Sequence, residues 1–106
     1  MSKLPFTTAI NFTNVQEISP RDIGVRKKLH IYKAVDQHNN TYCILYINQK
    51  SRVLQKEVDI YENIHHKIEE FTFTKFNKKH IYIEAPLCSK AKEKLELNNW
   101  NVSNII

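Results

Sequence analysis

The sequence predicts a single α/β domain with a mixed β-sheet, in which an antiparallel hairpin is followed by helix, strand, helix and strand. The first observation is the apolar run TYCILYI, 41–47, which is typical of a central strand covered on both faces. The second is the alternating segment 29–35, which the turn formers DQHNN join to that run as a hairpin. The third is a helical apolar periodicity over 52–70, and a helix in this position returns the chain to a parallel strand.

Two short elements are predicted before the hairpin. Residues 6–12 alternate, with Phe6, Ile10 and Phe12 on one face, which indicates a half-buried strand. Ser19 followed by Pro20 is typical of a helix start, and we expect one or two turns that end near Gly24. These elements form an N-terminal part, 6–27, ahead of a core over about residues 29–102.

The second half of the chain predicts two helices and two strands. Ser51 is a suitable N-cap for the long helix. The segment HIYIEAP, 80–86, predicts a buried strand that its proline ends. Ser89 is expected to cap a second helix that runs to about Leu97, and a short last strand begins near Trp100. The apolar stripe of the long helix consists of Leu54, Val58, Tyr61, His65, Ile68 and Phe71.

Composition excludes several functional classes. The 106 residues carry a net charge of +5, which suits an anionic partner such as nucleic acid, an acidic protein or a membrane surface. Gly24 is the single glycine, which argues against a glycine-rich phosphate loop. No apolar run approaches the roughly 18 residues of a membrane span, so we expect no membrane partner. Without a signal-like N-terminus, we expect a cytoplasmic location and free thiols at Cys43 and Cys88.

The hairpin carries residues that point to a known fold family. Asp36 opens its turn, and its second strand ends in Asn48-Gln49-Lys50 ahead of the long helix. This arrangement resembles the core of the restriction-endonuclease-like PD-(D/E)XK superfamily over about residues 29–102. In that family, an Asp at the start of the second core strand and a (D/E)-x-K on the third bind a divalent metal. The resemblance implies Asp36 and Lys50 as candidate catalytic residues, and Glu84 on the following strand is a third candidate.

The resemblance departs from the family pattern at one position. Asn48 stands where the acidic member of the (D/E)-x-K pair is expected, and a neutral amide brings no charge to hold Mg²⁺. We therefore expect a degenerate core without metal-dependent hydrolysis. An alternative interpretation takes Lys50 as an ordinary solvated strand end in front of a helix cap.

Lysines interleaved with aromatic residues favour nucleic-acid binding. Phe73 and Phe76 alternate with several of these lysines, and aromatic rings can stack on bases while ammonium groups neutralise phosphate. The segment Arg26-Lys27-Lys28 adds a further basic cluster. The predicted nucleic-acid contacts are Lys50, Arg52, Lys75, Lys78, Lys79 and Lys90.

Histidine and cysteine patterns predict no metal site and no cofactor. On the long helix, Glu62, His66 and Glu70 share a face, but that spacing is more typical of a solvated surface with local ion pairs. His65 falls on the apolar stripe, and we expect it at the edge of the core. Cys88 precedes a helix start, where the dipole lowers a thiol pKa, and we interpret it as a structural cysteine.

Three functional hypotheses remain from the sequence. The first is a small cytosolic nucleic-acid-associated protein with a degenerate nuclease-like core and no catalysis. The second is a protein-interaction or regulatory module that binds an acidic partner, with homodimerisation as one form. The third is a small metal-independent ribonuclease, which would need a histidine pair such as His30 and His80 to act as acid and base.

Overall fold

A five-stranded mixed sheet organises residues 4–105, the part of the chain that the computed structural model describes. Spatial order follows chain order: β1, β2 and β3 are antiparallel, whereas β3, β4 and β5 are parallel. The predicted mixed sheet is therefore confirmed. The elements are β1 (Phe12–Ile18), a 3₁₀ helix (Pro20–Ile23), β2 (His30–Asp36), β3 (Thr41–Asn48), α1 (Glu57–Thr72), β4 (Lys78–Glu84), α2 (Ser89–Leu97) and β5 (Asn101–Asn104).

The central strand β3 separates two apolar layers. Residues 42–47 are all buried, as the continuous apolar run predicts. Cys43, Leu45 and Ile47 face the two helices, which both cover the same side of the sheet. Tyr42 and Tyr46 face the other side, together with Tyr32, Tyr82 and the aliphatic residues Val15, Ala34 and Ile44. We call this second side the tyrosine face.

The tyrosine face explains why the strand predicted over 6–12 does not form. β1 begins only at Phe12, which pairs with Asp36, the last residue of β2. The preceding residues leave the sheet edge at this point and run across the tyrosine face, where the ring of Phe6 lies 5.6 Å from that of Tyr46. Their alternation has another cause: Phe6 stacks on Tyr82 with ring centroids 3.8 Å apart, and Phe12 packs edge-on against Tyr42 at 5.0 Å.

The long helix begins later than its predicted start at 52. Val53 is fully buried and its backbone bridges to the segment before α2, donating to Pro86 and accepting from Cys88. These bonds hold Val53 extended, so Ser51 cannot cap the helix. The turn is closed instead by Glu57, whose side chain accepts from the backbone N–H of Leu54 at 3.2 Å. Leu54 consequently lies outside the helix and is 40% exposed.

The remaining short elements agree with the sequence. The 3₁₀ helix has Pro20 in its first turn and ends at Gly24, whose left-handed φ of 70° suits a glycine. α2 spans Ser89–Leu97 with Ala91 and Leu95 buried, although Cys88 rather than Ser89 occupies the N-cap position. Within residues 4–105, no helix is long and apolar enough to cross a membrane.

Candidate nucleic-acid interface

The two ends of the sheet collect different side chains. β3, β4 and β5 finish at one end, which we call the carboxyl end. β2 starts there, because His30 pairs with Tyr46 near the end of β3. β1 also finishes there, since Ile18 pairs with Ile31. The connection between β1 and β2 and the loops after β3 and β4 therefore converge on the carboxyl end. We call the opposite end of the sheet the amino end.

Cations from three connections of the chain meet at the carboxyl end. All six side chains are exposed, and none forms an ion pair with another residue of the described range 4–105. By contrast, Lys27 in the same region is half-buried and pairs with Glu57 at 2.8 Å. We call the six the basic rim: Arg21, Arg26, Lys28, Lys50, Arg52 and Lys90.

One part of the basic rim borders a surface groove. This groove, about 500 Å³ in volume, lies between the 3₁₀ helix and the segment that leads into β2. Arg21, Arg26 and Lys28 line it together with His30. The sequence shows the cluster at 26–28, but it does not indicate that Arg21 joins it, because that depends on the antiparallel pairing of β1 with β2.

The candidate catalytic residues Lys50 and Glu84 both lie at the carboxyl end. Glu84 is the register partner of Asn48 across the parallel pair β3–β4, and Lys50 follows two residues later, exposed. The hydroxyl of Tyr46 donates to Oε1 of Glu84 at 3.1 Å. Burial, together with this bond to a carboxylate, raises the pKa of Tyr46. Glu84 is therefore already engaged by a neighbouring side chain.

Asp36 does not join Lys50 and Glu84, because it ends β2 at the amino end. The family resemblance implies an acidic residue at the start of β2. His30 occupies that position, six residues before Asp36 and about 20 Å from it. His30 is exposed, and its Nδ1 lies 3.5 Å from Oε2 of Glu17. The three candidates Asp36, Lys50 and Glu84 thus do not form one pocket.

Asp36 instead organises the hairpin turn. Its carboxylate accepts bonds from the backbone N–H groups of His38 and Asn40, from Nδ2 of Asn40, and from the hydroxyl of Tyr42 at 2.9 Å. These bonds, foremost that from the Asn40 side chain, lower the pKa of Asp36. A lowered folded-state pKa means that its stabilisation is present above the ordinary value of about 4 and is lost as pH falls.

The predicted nucleic-acid contacts divide between the two ends. Lys75 and Lys78 are exposed but lie at the amino end, away from Lys50, Arg52 and Lys90. Lys79 faces the helices, and its Nζ donates to Oε1 of Glu62 at 2.8 Å and to the carbonyl of Asn98 at 2.7 Å. With a side chain only 15% exposed, Lys79 is an internal cation.

The two histidines considered for acid–base catalysis share the tyrosine face but do not meet. His30 packs beside Tyr46, whereas His80 packs beside Tyr42. They lie on strands two apart and are offset by two residues, so about 12 Å separates them. That distance is too long for one acid and one base to act on a single bond.

Cys88 lies inside the basic rim. Its thiol is half-buried at the start of α2. The nearby backbone N–H groups of Ala91 and Lys90, with a smaller contribution from the charge of Arg52, lower the pKa of the thiol. Cys43, on the helix side of β3, is fully buried, and burial raises its pKa.

Comparison with solved structures finds a similar fold in a repair endonuclease. A repair endonuclease from Pyrococcus abyssi superposes with a TM-score of 0.55 at 16% identity, over 90% of this chain and 38% of the endonuclease chain. EndoMS in its apo form matches over 93% of this chain and 39% of its own, at 10% identity and a TM-score of 0.49. This chain therefore spans less than two fifths of either structure. No protein-family model and no curated protein matches the sequence.

The first of these matches confirms the predicted resemblance at the level of the fold. The arrangement of hairpin, helix, strand and helix is shared with the repair endonuclease over nine tenths of this chain. At 16% identity the match shows the fold alone. The chemistry of this chain depends on its own residues at the carboxyl end.

Proposed function

We propose that this protein binds nucleic acid through the basic rim and does not cleave it. The observation that supports the proposal is the convergence, at the carboxyl end of a nuclease-like sheet, of six exposed cations that have no ion-pair partner among residues 4–105. Ammonium and guanidinium groups that lack carboxylate partners are available to neutralise phosphates and release counterions. Arg21, Arg26 and Arg52 add planar groups that bind phosphate oxygens in pairs.

The absence of catalysis is proposed from the residues that flank Lys50. Asn48 occupies the acidic position of the pair, and His30 occupies the start of β2. In the family that this chain resembles, two carboxylates bind the divalent metal. Neither Asn48 nor His30 supplies a carboxylate. Glu84 lies on the neighbouring strand opposite Asn48, but its carboxylate already accepts a hydrogen bond from the hydroxyl of Tyr46.

The surroundings of the basic rim favour phosphate over base recognition. The two strongly exposed phenylalanines, Phe71 and Phe73, belong to the end of α1 at the amino end, where they cannot stack on bases held at the rim. Phosphate contacts position nucleic acid without reading its sequence. We therefore expect binding with little sequence preference and a steep dependence on salt.

Fluorescence anisotropy with a labelled DNA duplex tests this function. With all six cations in contact with phosphate, the slope of log affinity against log salt is about −5, which corresponds to a loss of about a thousandfold between 50 and 200 mM salt. A matched single strand and an RNA duplex identify the preferred polymer. Failure to bind any of the three at 50 mM salt contradicts the proposal.

A cleavage assay tests the second half of the proposal. Incubation of the same duplexes with Mg²⁺ or Mn²⁺ is expected to leave them intact. Metal-dependent cleavage that disappears in Lys50→Ala would show instead that the carboxyl end is an active site.

An acidic protein is the second partner class that the rim would accept. The same unpaired cations fit clustered carboxylates, and a homodimer could form through other surfaces without covering them. Competition separates the two partners: a nucleic acid that displaces polyglutamate at equal charge concentration supports the first proposal. Displacement only in the opposite direction supports the protein partner.

A further inference from the structure

His65 on α1 is a buried histidine without hydrogen-bond partners. The residue is 7% exposed, and neither Nδ1 nor Nε2 has a hydrogen-bond partner in the described structure. Buried polar atoms in proteins are almost always paired, so an unpaired imidazole calls for a ligand or another explanation.

The nearest potential ligands lie on the same helix. Glu62, His65 and His66 occupy positions i, i+3 and i+4 of α1, which project from one side of a helix. Each offers one ligand atom, and the three atoms all lie within 4.8 Å of one another. Two imidazoles and a carboxylate are a ligand set that suits a borderline divalent transition metal.

Neighbouring residues hold two carboxylates of this region in place. Oε1 of Glu62 accepts hydrogen bonds from Nε1 of Trp100 and from Nζ of Lys79. Glu69 lies next to both imidazoles, with Oε2 at 3.6 Å from Nε2 of His65 and Oε1 at 3.8 Å from Nδ1 of His66. Outer carboxylates and cations of this kind orient metal ligands in proteins.

Access to the cluster is open on one side. The side chain of His66 is 65% exposed. It lines a surface groove of about 410 Å³ with Glu69, Glu70, Phe73, Thr74 and Lys75. An ion and its water ligand can therefore enter from solvent, while Trp100 and Phe76 pack near His65 on the inner side with ring centroids at 6.1 Å.

We propose that Glu62, His65 and His66 form a binding site for one divalent transition metal of the Zn²⁺ class, with water completing its coordination. The second carboxylate oxygen of Glu62 is the ligand atom, since Oε1 is bound by Lys79 and Trp100. This site lies on the helix side toward the amino end, apart from the basic rim. Its existence therefore does not depend on nucleic-acid binding.

Titration calorimetry of the full chain with Zn²⁺ tests the site. One ion per chain is expected, and the melting temperature rises with Zn²⁺ concentration because the ion binds only the folded state. His66→Ala, at an exposed position, is expected to leave the fold intact and to lower the affinity at least tenfold. Co²⁺ in place of Zn²⁺ gives visible absorption bands that report the coordination geometry.

Two matched controls use other potential metal-binding side chains. His30 is the other histidine beside a carboxylate, and Cys88 carries the more accessible thiol. His30→Ala and Cys88→Ser are expected to bind Zn²⁺ as the unaltered chain does. The proposal is overturned by the absence of Zn²⁺ binding, by His66→Ala binding with unchanged affinity, or by an equal loss in either control.

Discussion

The two ends of the sheet use the same residue types in opposite ways. At the amino end, Lys79 and Glu62 pair with each other, and Asp36 accepts four hydrogen bonds from its own turn. At the carboxyl end, Lys50, Arg52 and the rest of the basic rim have no ion-pair partner among residues 4–105. Charge therefore stabilises the fold at Lys79 and Asp36 and stays accessible to a ligand in the basic rim.

This difference shows why a count of lysines misleads. The net charge of +5 belongs to the whole chain, but its function depends on which cations are already neutralised. An exposed pair contributes little to stability, whereas a cation enclosed with its partner is expensive to remove. Matched residues that differ in burial, in pairing or in the end of the sheet where they lie test this difference.

The largest expected difference is between the two thiols. Cys88, in the basic rim, is expected to react with iodoacetamide more than about a hundredfold faster than Cys43, because the buried thiol reacts only after the fold opens. Mass spectrometry of tryptic peptides measures both rates, and a urea-unfolded sample supplies the control in which they converge. Comparable rates in the folded chain would contradict the burial of β3. Bound DNA is expected to slow the reaction of Cys88.

The next largest difference is between Lys79 and Lys78, neighbours on β4 that face opposite sides of the sheet. Lys79→Ala is expected to lower the free energy of unfolding by about 2–3 kcal/mol, because it leaves Glu62 and the carbonyl of Asn98 without their charged donor. Lys78→Ala, at an exposed position, is expected to change it by less than about 0.5 kcal/mol. Urea unfolding of both variants measures the difference, and equal losses would refute the internal role of Lys79.

The smallest difference concerns two left-handed residues that end helices. Phe73 has a φ of 52° and is 96% exposed, so Phe73→Gly is expected to stabilise the chain by about 0.5–1 kcal/mol. Gly24 has a φ of 70° with open space around its absent side chain, so Gly24→Ala is expected to cost about 1 kcal/mol from conformation alone.

A control separates backbone strain from side-chain loss at Phe73. Phe73→Ala removes the ring but keeps a β-carbon in the left-handed conformation, so it is expected to give no gain in melting temperature. A gain equal to that of the glycine variant would show that the exposed ring itself destabilises the folded state.

Local patterns in the sequence predict most of the fold. The apolar run of β3, the turn formers after β2 and the helix start at Ser89 are local signals, and each leads to the observed element. The start of α1 is different, since it is set by the backbone bridge between Val53 and Leu87, 34 positions apart in the chain. No local pattern at Ser51 contains that contact.

The site was harder to predict than the fold because it depends on strand direction. Asp36 and Lys50 are close in sequence. Because β2 and β3 are antiparallel, however, the end of β2 and the end of β3 lie at opposite ends of the sheet. The same geometry brings Arg21, Arg26 and Lys28 beside Lys50. His65 was expected at the core edge and is found there, but its unpaired nitrogens become evident only once its neighbours are placed.

The most direct test of the basic rim is a charge-matched comparison of the two ends. Lys50→Glu with Arg52→Glu and Lys75→Glu with Lys78→Glu change the net charge by the same amount at exposed positions. The first variant is expected to weaken DNA binding strongly and to reduce the magnitude of the salt slope by about 2, while the second keeps the slope of the unaltered chain. Equal losses in the two variants, or a larger loss at the amino end, would contradict the assignment of nucleic-acid binding to the carboxyl end.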